Sequence, residues 1–182
     1  MTIHLLRDLP PPALAAALQV FESQFRYTLG AGHYFTISHG DDYPRYFRSL
    51  GEAVVLDAED GGMILGTLGV AVRKVIQPDQ TERRVAYLGD LKVASACNRG
   101  RVLIALFREC AAWARARVDA AFSVVMDGTA ATPEMYGGRL GMPAFAAIGQ
   151  VVLFRLKTSD APVDPAALAA PDEAATLYRK LS

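Results

Sequence analysis

The chain has 182 residues, of which 52% are hydrophobic and 21% charged, and this suits one globular domain with a hydrophobic core. Its 19 basic and 19 acidic residues cancel, so no overall field draws the chain to nucleic acid or to an acidic membrane surface, and we expect neither partner. Two cysteines, Cys97 and Cys110, are too few for a disulfide framework and favour a reducing compartment. Since we find no apolar run of ~20 residues and no cationic leader, we expect a cytoplasmic protein without a signal peptide.

The first third of the chain predicts one strand and two helices. Residues 3–6 are an apolar run typical of a strand, and prolines at 10–12 interrupt it. Apolar residues at spacings of four, three and four then predict one face of a helix: Leu14, Leu18, Phe21 and Phe25. We expect this helix to end near Gly30, residues 27–41 to form a loop, and a second short helix to cover 43–50.

The middle of the chain predicts strands over 53–56, 63–76 and 83–93, a helix over 101–117 and a buried strand over 121–126. The second and third of these strands form an antiparallel hairpin. Alternation along the third strand predicts two faces, one with Val85, Tyr87, Gly89, Leu91 and Val93 and the other with Leu88, Asp90 and Lys92.

The remaining residues complete an α/β plan. Thr132 and Pro133 open a short helix through Tyr136, and a strand over 144–156 closes the sheet. Residues 158–182, rich in Ala, Pro and Asp, predict a linker and a helix that could dock on the domain or lead to a partner. We therefore expect one domain over 1–157, with a mixed, mostly antiparallel central sheet and flanking helices.

The strand that ends at Val93 and the sequence Asn98-Arg99-Gly100-Arg101 resemble the central motif of the GNAT N-acetyltransferases. In that family an Arg/Gln-x-x-Gly-x-Gly/Ala loop opens a helix whose backbone N–H groups hold the pyrophosphate of coenzyme A. Val102 and Ile104 stand where the family has its next two glycines. The resemblance implies a set of cofactor-binding residues, namely Leu91, Val93, Asn98, Arg99, Gly100, Arg101, Val102 and Thr129. The alternative is an ordinary capped helix after an ordinary strand.

A second resemblance follows the strand that ends at Met126. The family tends to show Asn-x-x-Ala-x-x-apolar-Tyr and then Gly-Phe, and this chain has residues at those spacings: Thr129, Thr132, Met135 and Tyr136, followed by Gly141 and Met142. The gap between Tyr136 and Gly141 is one residue longer than in the family. The two resemblances together cover about residues 53–156 and imply the GNAT-like acyl-CoA N-acyltransferase fold.

The resemblance implies direct transfer of an acyl group from acetyl-CoA or another acyl-CoA to an amine, with no metal. The backbone N–H of Leu91 is the candidate oxyanion donor and the backbone of Val93 the pantetheine partner. Tyr136 is the candidate acid for the leaving thiolate, or else a ring in the core. Asp90 is the candidate base, or else a partner of Lys92 two residues on. Asp127, His33 and His39 are further candidates for the base or for acceptor contacts, or else ordinary loop residues.

Two rival functions use the same fold. The missing glycines favour a non-catalytic acyl-CoA-sensing or scaffold domain. A longer-chain acyltransferase with a carrier-protein donor would need the pyrophosphate loop less, and the aromatic residues between Phe21 and Phe47 could line its acyl pocket. The acceptor amine, whether a small molecule or a peptide, stays open because one scaffold serves many acceptors. A homodimer is the commonest arrangement if the chain self-associates.

Overall fold

The computed structural model describes residues 1–28, 32–77, 79–97, 99–126, 132–135, 138 and 144–150. The elements in chain order are β1 (Thr2–Leu6), α1 (Pro12–Glu22), β2 (Tyr27–Thr28), β3 (Tyr34–Phe35), α2 (Arg45–Leu50), β4 (Glu52–Asp60), β5 (Met63–Ile76), β6 (Glu82–Val93), α3 (Arg99–Ala114), β7 (Ala120–Ser123) and a 3-10 turn (Pro133–Met135). All of these elements belong to one compact unit, Met1–Ile148. The predicted linker and helix over 158–182 lie outside the described residues.

One five-stranded sheet organises the fold, with the strand order β1-β4-β5-β6-β7. Every neighbouring pair in it is antiparallel except β6 and β7, which run parallel. The parallel pair follows from the chain order, since α3 crosses from the end of β6 to the start of β7. The sheet is therefore mixed and mostly antiparallel, as the sequence predicts.

Helices cover both faces of the sheet and divide its core in two. Apolar residues of α3 pack on one face, and they are the stripe that the sequence predicts: Val102, Leu106, Cys110 and Trp113 on Leu56, Leu68, Val70 and Leu88. Helices α1 and α2 pack on the other face, through Leu18, Phe21 and Phe47 on Val55 and Ala71. Along the central strands, successive side chains point in turn into the core under α3 and into the core under α1 and α2. Because both faces are covered, β4 and β5 are apolar for most of their length.

Several element boundaries differ from prediction near the first helices. Helix α1 ends at Glu22 and not near Gly30, since Phe25 closes a turn onto Glu22 and does not continue the helix. The segment 27–41 is not only a loop: β2 and β3 pair in it, and the rings of Tyr27 and Phe35 lie 5.3 Å apart. Helix α2 begins at Arg45, two residues later than predicted, with Pro44 as its N-cap.

Element boundaries in the second half of the chain also differ from the predicted ones. Helix α3 begins at Arg99 and ends at Ala114, two residues earlier than predicted at its start and three at its end. Strand β4 is longer than predicted because its charged ends and the buried Asp57 interrupt the apolar pattern. Strand β7 stops at Ser123, three residues before the predicted end. Residues 144–150 form no strand, and the rest of the predicted closing strand lies outside the described residues.

Strand β6 contains a β-bulge that the alternating pattern does not predict. Gly89 pairs with Gly69 and Lys92 pairs with Thr67, so Asp90 and Leu91 together face the single residue Leu68. Asp90 has a φ of 55°, a left-handed conformation that aspartate tolerates better than most residues. The prediction of two continuous faces along β6 is therefore wrong. The extra residue shifts the alternation by one, and Leu91 packs with the α3 core while Tyr87 packs with the α1–α2 core.

Among the described residues, no helix combines the length and the apolar character that crossing a bilayer requires.

Candidate active site

A cavity of about 330 Å³ opens where β6 and β7 part. The last paired residues are Leu88 and Ser123, and β6 runs on to Val93. Beyond that pair, each of the two segments supplies one wall of the cavity. The β6 wall consists of Gly89, Asp90 and Leu91, and the wall after β7 consists of Val124, Val125 and Met126. The bulge thus lies at the split, where the extra residue leaves the regular strand ladder.

The cavity reaches both faces of the sheet. Leu88, Leu91 and Phe107 line it and belong to the core under α3. Tyr27, Ile37 and Tyr87 line it as well; Tyr87 packs with the α1–α2 core, and the other two lie in the segment between those helices. Two reactants could therefore approach the split from opposite faces and meet beside the bulge.

Three side chains hold the bulged residue in place. The buried hydroxyl of Tyr43 donates a hydrogen bond to Asp90 Oδ2, and Lys92 Nζ lies 2.5 Å from Asp90 Oδ1. The hydroxyl of Thr67 donates to the backbone oxygen of Asp90 over 3.0 Å. Burial, together with the neighbouring carboxylate, raises the pKa of Tyr43 far above its ordinary value, so this phenol stays a hydrogen-bond donor. The Asp90 carboxylate is thus oriented at the cavity wall.

The same lysine joins Asp90 to the end of α1. Lys92 Nζ lies 3.4 Å from Glu22 Oε1, and the two side chains are only 2% and 3% exposed. His39 Nδ1 forms a hydrogen bond with Glu22 Oε1, and the His39 backbone N–H donates to Glu22 Oε2 over 3.1 Å. Burial raises the pKa of Glu22, but the hydrogen bonds from His39 and the charge of Lys92 outweigh it and hold the pKa below its usual value. A buried charged network therefore runs from the cavity to the loop before α2.

Glu22, His39 and Asp90 bring ligand atoms within 4.8 Å of one another, which is close enough for three residues to share a cation. Lys92 Nζ already contacts both carboxylates of this group. A divalent ion there would compete with the ammonium for the same oxygens, and we therefore interpret the cluster as an ion-pair network.

The first turn of α3 contains the Arg99-Gly100-Arg101 sequence. Gly100 is exposed, whereas Val102 is only 2% exposed and packs in the core under α3. A Cβ on Gly66 of β5 would lie 2.9 Å from Val102 Cγ1, so the absence of a side chain at Gly66 makes room for the valine. Any contribution of Val102 to phosphate binding is left to its backbone N–H, because its side chain faces the sheet.

The predicted site residues and the two cysteines lie in several different parts of the structure. Asp90 and Leu91 line the cavity, while Val93, paired with Gly66, is outside its described lining. His33 is exposed, and His39 belongs to the buried network. Cys97 donates to the backbone oxygen of Ala94 over 3.2 Å, and Cys110 is buried in the core. Four further candidates lie outside the described residues: Asn98, Asp127, Thr129 and Tyr136.

Glu22 and Tyr43 belong to no sequence motif. The fold brings Tyr43 into contact with Asp90 and Glu22 into contact with Lys92, although the partners lie far apart in the sequence. Glu22 follows Leu18 by four residues, so it falls on the apolar face of α1, and a charge at such a position is the one signal that could have indicated a buried role. Tyr43 carries no such signal, since it lies between Asp42 and Pro44 and no pattern distinguishes its hydroxyl from that of another tyrosine.

No protein-family model matches the sequence, and no curated protein matches it. Solved structures do match the fold. An aminoglycoside 6'-N-acetyltransferase from Acinetobacter haemolyticus is 18% identical, with a TM-score of 0.58 over 87% of this chain and 100% of its own. Glucosamine-6-phosphate N-acetyltransferase from Arabidopsis thaliana is 13% identical, with a TM-score of 0.57 over 85% and 100%.

A predicted acetyltransferase from Clostridium acetobutylicum, solved with acetyl-CoA, is 14% identical, with a TM-score of 0.55 over 85% of this chain and 96% of its own. These similarities agree with the mixed, mostly antiparallel sheet and its flanking helices. This chain has the fold of the GNAT N-acetyltransferases.

Proposed function

We propose that the protein is an acyl-CoA-dependent N-acyltransferase, with acetyl-CoA as the simplest donor, that transfers the acyl group directly to an amine. The cavity at the β6–β7 split carries this proposal, because it reaches both faces of the sheet beside a bulged, charged residue. A thioester on the α3 face and an amine on the α1–α2 face would meet there without a covalent enzyme intermediate. Cysteine usage favours the cytoplasm as the place of this reaction.

Coenzyme A would bind along the α3 face. Backbone N–H groups in the first turn of α3, a helix of 16 residues, point toward an anion at its N-terminus, where the helix dipole adds to the attraction. Arg99, Gly100, Arg101 and the backbone of Val102 would hold the pyrophosphate, with Asn98 and Thr129 as further contacts. The backbone of Val93 would bind the pantetheine arm.

The chemistry needs a donor for the carbonyl oxygen and an acceptor for the amine proton. The backbone N–H of Leu91, next to the bulged residue, would bind the developing oxyanion. Asp90 would take the proton that the attacking nitrogen loses as the new C–N bond forms. The C–S bond then breaks, and Tyr136 would protonate the departing thiolate of coenzyme A.

The experiment that tests this proposal follows free-thiol release from acetyl-CoA with a panel of primary amines. We expect amine-dependent release, and we expect Asp90→Asn to lower kcat/KM at least about 100-fold while acetyl-CoA still binds. Asparagine suits this test because it also tolerates the left-handed backbone of position 90. Asp119→Asn, at a residue whose side chain is 69% exposed, is the matched control and should leave the rate unchanged.

Two results would contradict the proposal. If acetyl-CoA binds and no amine promotes thiol release, the fold serves an acyl-CoA-sensing or scaffold role. If only an acyl carrier protein serves as donor, the protein is a longer-chain acyltransferase of the carrier-dependent type.

A further inference from the structure

We infer that the acceptor is a small monoamine with a compact apolar body, rather than a sugar amine or a polyamine. This inference rests on the proposed acyl transfer and specifies its second substrate. The acceptor side of the cavity is the part that faces α1 and α2, and we define it by four of its described residues: Tyr27, Ile37, Tyr87 and Asp90.

Three of these four residues present apolar or aromatic surface. The ring of Tyr27 packs 5.3 Å from that of Phe35, and the ring of Tyr87 packs 5.4 Å from that of Phe122. Gly89 leaves room for Tyr87, because a Cβ there would lie 2.8 Å from the Tyr87 hydroxyl oxygen. Both rings are thus held as walls, and an apolar or aromatic body would replace water against them.

The two tyrosines bring no negative charge to the acceptor side. Burial and the nearby carboxylates Asp90 and Glu22 raise the pKa of Tyr27 to about 12. Burial, with contributions from Tyr46 and Asp90, raises the pKa of Tyr87 to about 12 as well. Both phenols therefore stay neutral at physiological pH, and Asp90 is the charged group in the described lining of this side.

The network behind Asp90 sets how many cations the site accommodates. Glu22 and Asp90 are two carboxylates, and Lys92 supplies one ammonium that contacts both. The two carboxylates and the one ammonium together carry one net negative charge. A single ammonium group beside Asp90 would balance that charge and would then release its proton to water, so that the neutral amine attacks, whereas the second ammonium of a diamine would meet no second carboxylate in the described lining.

Sugar amines fit this side poorly for a different reason. Their several hydroxyl groups would meet the apolar side chain of Ile37 and the single phenol hydroxyls of Tyr27 and Tyr87, so part of them would lose water without matching partners in the described lining, at a cost for each such group. Among the solved structures of the same fold are enzymes named for aminoglycosides and for glucosamine 6-phosphate. This chain would differ from those two in acceptor class while sharing their fold.

The test compares three amines with saturating acetyl-CoA: 2-phenylethylamine, glucosamine and the diamine cadaverine. Free-thiol release should give a kcat/KM for 2-phenylethylamine at least about tenfold above that for either of the others. A designed change of specificity tests the charge argument. Ile37→Asp adds a second carboxylate to the acceptor side and should raise the cadaverine-to-phenylethylamine ratio at least about fivefold.

Ile76→Asp is the matched control for that variant, since Ile76 is 70% exposed near the end of β5 and is outside the described lining of the cavity. It should leave the ratio unchanged. Two results would overturn the proposed acceptor class but leave the proposed acyl transfer in place. One is a kcat/KM of the unaltered protein for glucosamine or cadaverine that equals or exceeds that for 2-phenylethylamine. The other is an unchanged cadaverine-to-phenylethylamine ratio in Ile37→Asp. Absence of acetyl-CoA binding by calorimetry, with no thiol release from any amine, would instead overturn the proposed function.

Discussion

Lys92 Nζ lies 2.5 Å from Asp90 Oδ1, and the same ammonium lies 3.4 Å from Glu22 Oε1. The lysine therefore joins the carboxylate at the cavity wall to the last residue of α1. Because the three side chains are only 2–7% exposed, the pairing orients Asp90 and also offsets the cost of burying these charges in the fold.

Replacement of Lys92 by methionine should destabilise the protein strongly. The change keeps most of the side-chain volume but leaves Glu22 and Asp90 buried without their shared cation. We expect the free energy of unfolding to fall by about 3–5 kcal/mol, measured by urea denaturation. Lys74→Met is the control: Lys74 pairs with Glu82 at 3.0 Å on the surface, and its loss should cost less than about 1 kcal/mol. Equal effects of the two substitutions would contradict the role given to Lys92.

Asp57 should make the protein less stable as pH rises. It is fully buried, neither carboxylate oxygen has a hydrogen-bond partner among the described residues, and burial raises its pKa to about 6. Because the folded state holds the proton more tightly than the unfolded state, stability should fall between about pH 4 and pH 6 and remain lower above that range. Asparagine cannot ionise, so the Asp57→Asn variant should not lose stability over this range. The difference in the free energy of unfolding between the variant and the unaltered protein should therefore shift in favour of the variant by about 2–3 kcal/mol from pH 4 to pH 7.

Thermal denaturation of the Asp57→Asn variant from pH 4 to pH 8 measures this effect. Asp119→Asn, on the surface, serves as the control and should show no such pH-dependent difference. A stability difference between Asp57→Asn and the unaltered protein that is constant across the range would show that the carboxyl does not titrate as described.

Local patterns predict the core of this fold better than its site. Strand β5 and the apolar stripe of α3 follow directly from residue spacing, because long periodic segments bury one surface each. The bulge at Asp90 escapes prediction, since an alternating strand with one extra residue has the same local composition as a regular strand. The contact between Glu22 and His39 joins residues 17 positions apart across a loop, and no local pattern encodes it.

Val102→Gly restores a glycine that the GNAT loop usually has at this position, and we expect it to bring no gain in cofactor binding. The valine side chain faces Gly66 and the core, so its removal opens a cavity and weakens the helix start. The free energy of unfolding should fall by about 3 kcal/mol. Acetyl-CoA affinity, measured by calorimetry below the melting temperature, should stay within about threefold of the original value. A tenfold tighter complex would contradict the orientation argued for Val102.

Tyr136→Phe should slow turnover without abolishing it. Thiols have a pKa near 8.5 and phenols near 10, so the protonation of the leaving thiolate that we propose for Tyr136 would offer only a modest gain, about tenfold or less. Steady-state thiol release measures the loss, with Tyr34→Phe as the control because Tyr34 is 62% exposed and outside the described cavity lining. An unchanged rate in Tyr136→Phe would refute its role as the acid.

The most direct measurement is calorimetric titration of the purified protein with acetyl-CoA and with a longer acyl-CoA. We expect binding of at least acetyl-CoA, and we expect Arg99→Ala and Arg101→Ala each to weaken it about tenfold, as the loss of a charge-assisted contact to phosphate would. If neither ligand gives a heat of binding at millimolar concentration, the result would contradict the coenzyme A site. It would also contradict the acyl-CoA-dependent transfer that we propose for this protein.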